Sequence, residues 1–447
     1  MSFSLRLPAS PARPLIRTLV EAGLEAADPY HAILASVSLR GQSLRIGATT
    51  YNLSRFDRLV VVGAGKASAR MAQAIESILG PRLDGGLIVV KTGHGAPLKR
   101  ITVVEAGHPV PDRAGLRGAA HLQTLVRGLT PRDLLLVLLS GGASSLLPAP
   151  VPGISLADKQ RTTRLLLRSG ASIGEMNTVR KHLSLLKGGG LARCTNAAIA
   201  TLILSDVIGD DIGTIGSGPT APDPTTFADA AGILRRYRIW RAVPKTVRRH
   251  LLQGLKGLVP ETLKPGFRRA RHVRHAIIGN NHRMLDAVAG AAERAGLRTC
   301  LLSDAITGEA RTAAERFVGL AKRLMDTPGT LPRPACLIAG GEPTVTVTGR
   351  GKGGRAQEFA TAAALLLDGI PRVWLAAMGT DGSDGPTDAA GAVVTGTTLA
   401  RARKLGINLR AILSRHNTFH AMHALGCHIR TGPTGTNVND LYLLLLL

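Results

Sequence analysis

One pattern recurs along this chain and limits what it can fold into. A run of Val, Leu and Ile is followed by a glycine-bearing turn and then by a segment with helical spacing. Buried parallel strands read as continuous apolar runs, and a glycine turn lets the chain leave the strand and enter a helix packed on the sheet. The pattern first appears at Arg58–Val62 (RLVVV), which runs into Gly63-Ala64-Gly65-Lys66-Ala67-Ser68 and a helix expected over Ala67–Leu79. It returns at Gly85–Gly93, Ile101–Asp112, Asp133–Leu147 and Ala197–Asp211. The expectation is an α/β fold whose larger domain is a doubly wound, mostly parallel, Rossmann-like sheet with helices on both faces.

Leu15–Ala27 carries apolar residues at helical spacing and stops before Asp28-Pro29. From about Ile239 to Arg274 the pattern turns basic and proline-punctuated, which marks a domain boundary. Strand-like runs then restart at His275–Asn281, Leu297–Asp304, Ala335–Val347 and Val373–Gly382, ending with Asn437–Leu447. The organisation read from this is an N-terminal domain over residues 1–250, a basic linker over 251–272 and a smaller C-terminal α/β domain over 273–447, with a cleft between the domains. At 447 residues, two domains is the natural division.

No apolar run approaches the roughly 18 residues that span a bilayer. Leu443–Leu447 is too short for an anchor and reads as a last buried strand. The Arg-containing, acid-poor start has a transit-peptide flavour, but the helical pattern beginning near Pro14 leaves little room for a removable segment; a cytoplasmic protein is expected. Cys194, Cys300, Cys336 and Cys427 are scattered without a CxxC pair and read as free thiols.

The formal net charge of +26 raises the question of nucleic acid. Basic residues crowd Arg235–Arg249 and Arg268–His275, with Tyr237 and Trp240 in the first cluster. Two aromatics without a recognisable binding motif do not make a stacking platform, so a solvated basic surface is expected and no nucleic-acid partner. No membrane partner is expected either, and a homodimer is left open.

The Gly63–Ser68 turn can hold an anion with backbone N–H groups and the helix dipole. It is not a P-loop, which would need glycine at Val60 and a hydroxyl at Ala67. It is not a dinucleotide fingerprint, which would want glycine at Ser68 and an acid after the next strand, where Lys91 stands. What remains is a tight turn, Gly63 and Gly65, aiming Lys66 at the sheet edge. Ser140-Gly141-Gly142-Ala143-Ser144-Ser145 is a second such loop, and together the two make a phosphate cradle in which Ser140, Gly141, Gly142 and Ser144 take part.

Asn177–Gly190 gathers Arg180, Lys181, His182 and Lys187, of which Lys181 is taken as a nucleotide-phosphate ligand. Asp206, Asp210 and Asp211 close one strand, and Asp381, Asp384 and Asp388 follow another. Hard oxygen ligands at strand ends suit Mg²⁺ bound with a nucleotide, so Asp206 and Asp381 are the candidate metal ligands. Arg355 lies in a cationic glycine loop, Arg350–Arg355, and suits charge stabilisation during phosphoryl transfer. His416, His420, His423 and Cys427 fall on one helical face if the segment is helical throughout, a weaker metal stripe lacking an HExxH glutamate.

The order of these motifs is more distinctive than any one of them. Gly63–Lys66, EAGHPVPD from Glu105, the glycine loop at 140–142, NTVRKHLS from Asn177 and SDVIGDD from Ser205 come first. SGPTAPDPTT from Ser217, GGE at 340–342, GKGGRAQE from Gly351, GTDGSDGPTDAAG from Gly379 and TGPTGTNVND from Thr431 follow. This series resembles the class II glycerate kinases, whose C-terminal part is the MOFRL domain, here about 330–447, and the resemblance runs from about Pro14 to the C-terminus. It implies ATP-dependent, Mg²⁺-assisted phosphorylation of D-glycerate at its 2-hydroxyl. It also implies active-site roles for Lys66 and Arg355 on opposite walls of the cleft, beside which Asp206 and Asp381 would hold magnesium or accept the hydroxyl proton. The pattern departs from the family at Ala356, where an asparagine is usual, at Ala143, where a glycine is usual, and at Asn417-Thr418-Phe419, where Asp-Ser-Tyr is common. A related small hydroxy acid is therefore an alternative substrate. Members have also been called hydroxypyruvate reductases, which makes an NAD(P)H-dependent oxidoreductase the second enzyme reading.

Overall fold

The structure is a computed structural model and describes residues 3–267, 270, 272–327 and 331–447. Arg268, Arg269 and Arg271 of the second basic cluster, and Thr330 at the expected start of the MOFRL region, lie outside the described residues. By contact, the chain divides into one compact unit at Pro29–Ile278 and another made of residues 1–28 with 279–447. The helix Arg13–Ala26 thus groups with the C-terminal half, a discontinuity that a boundary drawn along the chain does not express.

The unit Pro29–Ile278 begins with a three-stranded antiparallel meander, β1 (Val37–Arg40), β2 (Ser43–Ile46) and β3 (Thr49–Asn52). Its main sheet holds β4 (Arg58–Ala64), β5 (Gly85–Lys91), β6 (Ile101–Ala106), β7 (Asp133–Leu139), β8 (Ala198–Leu204) and β9 (Val273–Gly279), in the order β6-β5-β4-β7-β8-β9. The pairings β6/β5, β5/β4, β4/β7 and β7/β8 are all parallel. Every residue of β7 is buried, as a central strand covered on both faces requires. Strand order reverses between β4 and β7, the topological switch point outside which ligands bind in open α/β sheets. Both glycine loops, after β4 and after β7, lie there. The register is flush, Ala64 opposite Leu139 and Leu139 opposite Ile203, so the loops start level.

The other unit carries a mixed sheet of β10 (Arg298–Ile306), β11 (Ala335–Gly341), β12 (Val373–Gly379), β13 (Gly391–Thr395), β14 (His428–Ile429) and β15 (Asp440–Leu446). Its order is β10-β11-β15-β12-β13-β14. Only β10/β11 runs parallel; β15 is antiparallel to both β11 and β12, and β12/β13 and β13/β14 are antiparallel. The leucine run near the C-terminus is therefore the central strand, wholly buried. That position explains its uniform apolarity better than an edge would. Among the described residues no helix is long and apolar enough to cross a membrane.

Local signals worked where they were strong. The helices Leu156–Arg168 and Ile173–His182 both start with capping boxes, Ser155 with Asp158 and Ser172 with Glu175, each contributing about 1 kcal/mol to its helix. The second helix stops at His182, so Lys187 sits in the following loop and not on the same helical face as Lys181. The histidine stripe also breaks up. Only Thr418–Ala424 is helical; His416 precedes it with a left-handed φ of 52°, and Cys427 follows it. No group of three or more His, Cys, Asp or Glu able to hold a metal occurs among the described residues. The aromatics of the basic cluster are engaged too: Arg235 stacks over Trp240 at 5.0 Å and the Tyr237 hydroxyl donates to Glu175 at 2.7 Å.

Candidate active site

In the unit Pro29–Ile278 the two glycine loops lock together. The Lys66 N–H donates to the Gly141 carbonyl at 2.9 Å, the Ala67 N–H to Ser140 Oγ at 3.0 Å, and the Ser140 N–H to the Ala64 carbonyl at 3.2 Å. Gly65 takes φ 142° and packs so close that a Cβ would overlap the Ser140 hydroxyl. A Cβ on Gly141 would overlap the Asp206 carboxylate, so glycine there lets the acid from the end of β8 lie against the loop. Gly142 turns with φ 89° under the His108 ring. Ser140 thus acts as a staple between the loops. Gly63 lies within β4, where a Cβ would strike the Leu138 backbone.

Lys66 is half-buried, and its ammonium has no hydrogen bond or ion pair among the described residues. Its backbone carbonyl faces His94 Nδ1 at 3.1 Å. His108, inside EAGHPVPD, was not singled out from sequence although its motif was. Burial, and then the charges of Lys66, Lys91 and His94, bring its pKa down to about 4, so it is a neutral imidazole at physiological pH. This corner presents a flexible cation, a neutral imidazole and a carboxylate around a glycine loop.

Ser144 joins the second loop to its surroundings. Its hydroxyl shares a hydrogen bond with Ser217 at 2.8 Å, Ser217 donates to Asn177 Oδ1 at 3.2 Å, and its carbonyl accepts from Lys187 Nζ at 2.6 Å. Lys181 points elsewhere: its Nζ pairs with the fully buried Asp223 at 3.3 Å. The buried cations beside Ser144 are Lys159 and Lys187, with Arg180 half-buried next to them.

In the other unit, Arg355 opens the helix Arg355–Leu366. Its Nε and Nη2 donate to the two oxygens of Asp440 at 2.8 and 3.0 Å, and Nη1 donates to Glu342 at 2.7 Å. Burial pulls the guanidinium pKa down, but the two carboxylates outweigh it and hold the group charged. Asp440 is itself fixed by the Tyr442 hydroxyl at 2.9 Å, and Tyr442 stacks on Phe359 at 4.1 Å. Register explains the convergence, because Asp440 lies opposite both Gly341 and Gly379, where β11 and β12 end.

The acidic loop divides its labour. Asp384 is buried and caps the Arg355 helix, accepting from the N–H groups of Ala356 at 3.0 Å and Gln357 at 2.8 Å. Asp381 holds one oxygen against Ser383, and Asp388 pairs with Arg430 at 3.3 Å. Ala356 is fully buried in the hydrophobic core beside Phe359, so its methyl packs instead of facing solvent. Asn417 accepts from the Lys352 N–H at 3.1 Å and the Lys352 ammonium stacks over Phe419 at 4.6 Å. Those two departures from the family pattern therefore hold the cationic loop in place. His416 lies against Glu358 at 3.1 Å, which is also bound by Arg311.

Asp206 fits a magnesium role by the chemistry of its donor: a hard carboxylate at a strand end, pressed against a glycine loop. Mg²⁺ takes one or two carboxylates plus substrate phosphates, so a three-acid cluster is not required. A dinucleotide is poorly served. The position of a third glycine is held by Ser68, buried, with its hydroxyl 3.3 Å from the Leu138 carbonyl.

The family described as a domain of unknown function, DUF4147, matches residues 15–252, and the MOFRL family matches residues 335–440. A glycerate 2-kinase of Pyrococcus horikoshii is 41% identical, covering 95% of each chain. A protein of Agrobacterium vitis provisionally named a hydroxypyruvate reductase is 43% identical, covering 97% of this chain and 94% of its own. The crystal structure of a glycerate kinase from Thermotoga maritima superposes with a TM-score of 0.86 at 38% identity, covering 97% of this chain and 100% of that one.

Proposed function

Because the chain belongs to the glycerate kinase family that joins a DUF4147 domain to a MOFRL domain, we infer that it transfers the γ-phosphoryl group of ATP to a hydroxyl of glycerate. Full-length similarity to glycerate kinases carries this reading, and the lone ammonium of Lys66 over two interlocked glycine loops at the sheet's switch point gives it chemistry.

The transferring oxygens lie against the loop at Gly141–Gly142, whose N–H groups, with the Lys66 ammonium, offset their charge, while the N–H groups of Lys66 and Ser140 hold the two loops together. Donors fixed before the reaction stabilise developing charge without reorganising, commonly by 10²–10³ in kcat per group. The 2-hydroxyl of D-glycerate attacks the γ-phosphorus, its O–P bond forms as the β–γ bridging bond breaks, ADP leaves, and the hydroxyl proton passes to Asp206. Mg²⁺, when bound with the nucleotide, would neutralise phosphate charge, and Asp206 is the carboxylate of this unit suited to hold it. Arg355 is the candidate cation of the other unit; to meet an anionic ligand it exchanges Glu342, whose side chain is 43% exposed, while Asp440 keeps the guanidinium oriented. The reductase reading has a relative's name behind it but no glycine at Ser68 and no acid at Lys91.

A coupled ADP-release assay with Mg-ATP and D-glycerate, with enolase added to consume 2-phosphoglycerate, tests the reaction and its regiochemistry together. Signal in both channels is expected. ADP release without an enolase signal would move the transfer to another hydroxyl, and NADH oxidation by hydroxypyruvate without ADP release would overturn the kinase reading.

A further inference from the structure

Three cations meet in the unit Pro29–Ile278 with no carboxylate to balance them. Lys159 comes from the helix Leu156–Arg168, Arg180 from the helix Ile173–His182, and Lys187 from the loop that follows. Lys159 is 9% exposed and Lys187 is 4% exposed. Each ammonium makes one hydrogen bond, Lys159 to the Leu183 carbonyl at 3.1 Å and Lys187 to the Ser144 carbonyl at 2.6 Å, leaving further donors unused. Arg180 has no hydrogen bond or ion pair among the described residues. All three line one cavity of about 270 Å³, which also reaches Ser144 of the second glycine loop.

Burying unpaired like charges is costly, and a fold normally avoids it or pairs them. Lys181, one residue from Arg180, shows that this segment can pair a buried cation, since it has Asp223. Burial and the neighbouring cations push Lys159 down to about 7 and Lys187 well below its ordinary value, so the protein groups around them disfavour their charge. A polyanion would restore it. The cavity is also lined by the exposed Val110, Leu167 and a fourth cation, Arg164, but Lys159 and Lys187 are the buried ones, where desolvation makes an ion pair strong.

We infer that Lys159, Arg180 and Lys187 form a binding site for a phosphoryl-bearing polyanion, beside the glycine loop at Ser144 and separate from Lys66. A monocarboxylate offsets one of three cations, whereas a phosphoryl group or phosphate chain offsets two or more. The site deepens the kinase reading, since both a nucleotide and a phosphorylated hydroxy acid carry this chemistry. The cavity and its cations stand even if the reaction were different.

Calorimetric titration with pyrophosphate tests the site on the full-length Lys66→Ala chain, in which the loop lysine no longer contributes. Binding is expected to persist there and to weaken at least 10-fold when Arg180→Gln or Lys187→Met is added. Lys187→Met removes an unpaired buried charge, so its ligand-free Tm is expected to equal or exceed that of the parent; Arg180→Gln, only partly buried, serves if the lysine variant folds poorly. Unchanged affinity in both double variants, or no binding in Lys66→Ala itself, overturns the proposal. Competition by ADP assigns the site to the nucleotide, competition by 2-phosphoglycerate alone assigns it to the product, and binding that neither displaces supports a site independent of turnover. Because pyrophosphate binding is read without catalysis, a failed kinase assay and a failed site give different results.

Discussion

Arg355 and Asp440 bind each other through two parallel hydrogen bonds of 2.8 and 3.0 Å, although 85 residues separate them in the chain. The carboxylate is fully buried and the guanidinium 30% exposed, so the pair has one face in the core and one toward solvent. That geometry makes Asp440 a positioning residue for an arginine that can still meet a ligand.

Asp440→Asn removes one charge and one of the two acceptors. Breaking a buried pair costs about 3–5 kcal/mol, and partial exposure of Arg355 puts the expected loss toward the low end. Tm should fall by several degrees and kcat by 10-fold or more, with Glu342 then the arginine's main partner. Unchanged kcat beside a lowered Tm would make the pair structural only.

Lys66→Ala should lower kcat at least 100-fold while Tm moves by no more than about 2 °C, because the ammonium makes no hydrogen bond that holds the fold together. Steady-state kinetics and a thermal melt on the same preparation check both. Retained kcat removes Lys66 from the chemistry.

Gly141→Ala drives a methyl into the Asp206 carboxylate. Either the loop or the acid must shift, so kcat/KM should fall 10-fold or more. Gly65→Ala should be worse, since it adds an unfavourable φ of 142° to an overlap with Ser140, and soluble expression is the readout.

Burial, then Arg430 and His423, bring the His428 pKa down to about 4. An unfolded chain takes up this proton near pH 6.5 while the folded chain resists it to about 4, so the group's cost is absent above pH 6.5 and grows as pH falls toward 4. His428→Phe, which keeps a ring beside Phe419, should lose less Tm than the parent between pH 7 and pH 5. Equal losses would place the acid sensitivity elsewhere.

The glycine loops, the strands leading into them and Lys66 were legible because each rests on contiguous residues: an apolar run, then glycines, then helical spacing. The Arg355 loop was legible for the same reason. Its partner was not, since Asp440 looks in sequence like the polar start of a leucine strand. The expectation for Lys181 rested on a cluster of basic residues whose side chains diverge. The helix ends at His182, which sends Lys181 to Asp223 and leaves Arg180 and Lys187 around the cavity with Lys159, a residue that no local pattern marks.

By itself, then, the sequence determined the α/β class, the starts of most strands of the parallel sheet and the positions of the glycine turns, because hydrophobic period and backbone sterics act over a few neighbouring residues; the antiparallel meander at Val37–Asn52 and the end of the strand Ala335–Gly341 were not legible in it. Tertiary structure alone decided that the last strand lies at the centre of its sheet, that the first helix joins the C-terminal unit, and which carboxylate holds which cation. Strand pairing and charge burial are energies between residues far apart in sequence, and no local pattern records them.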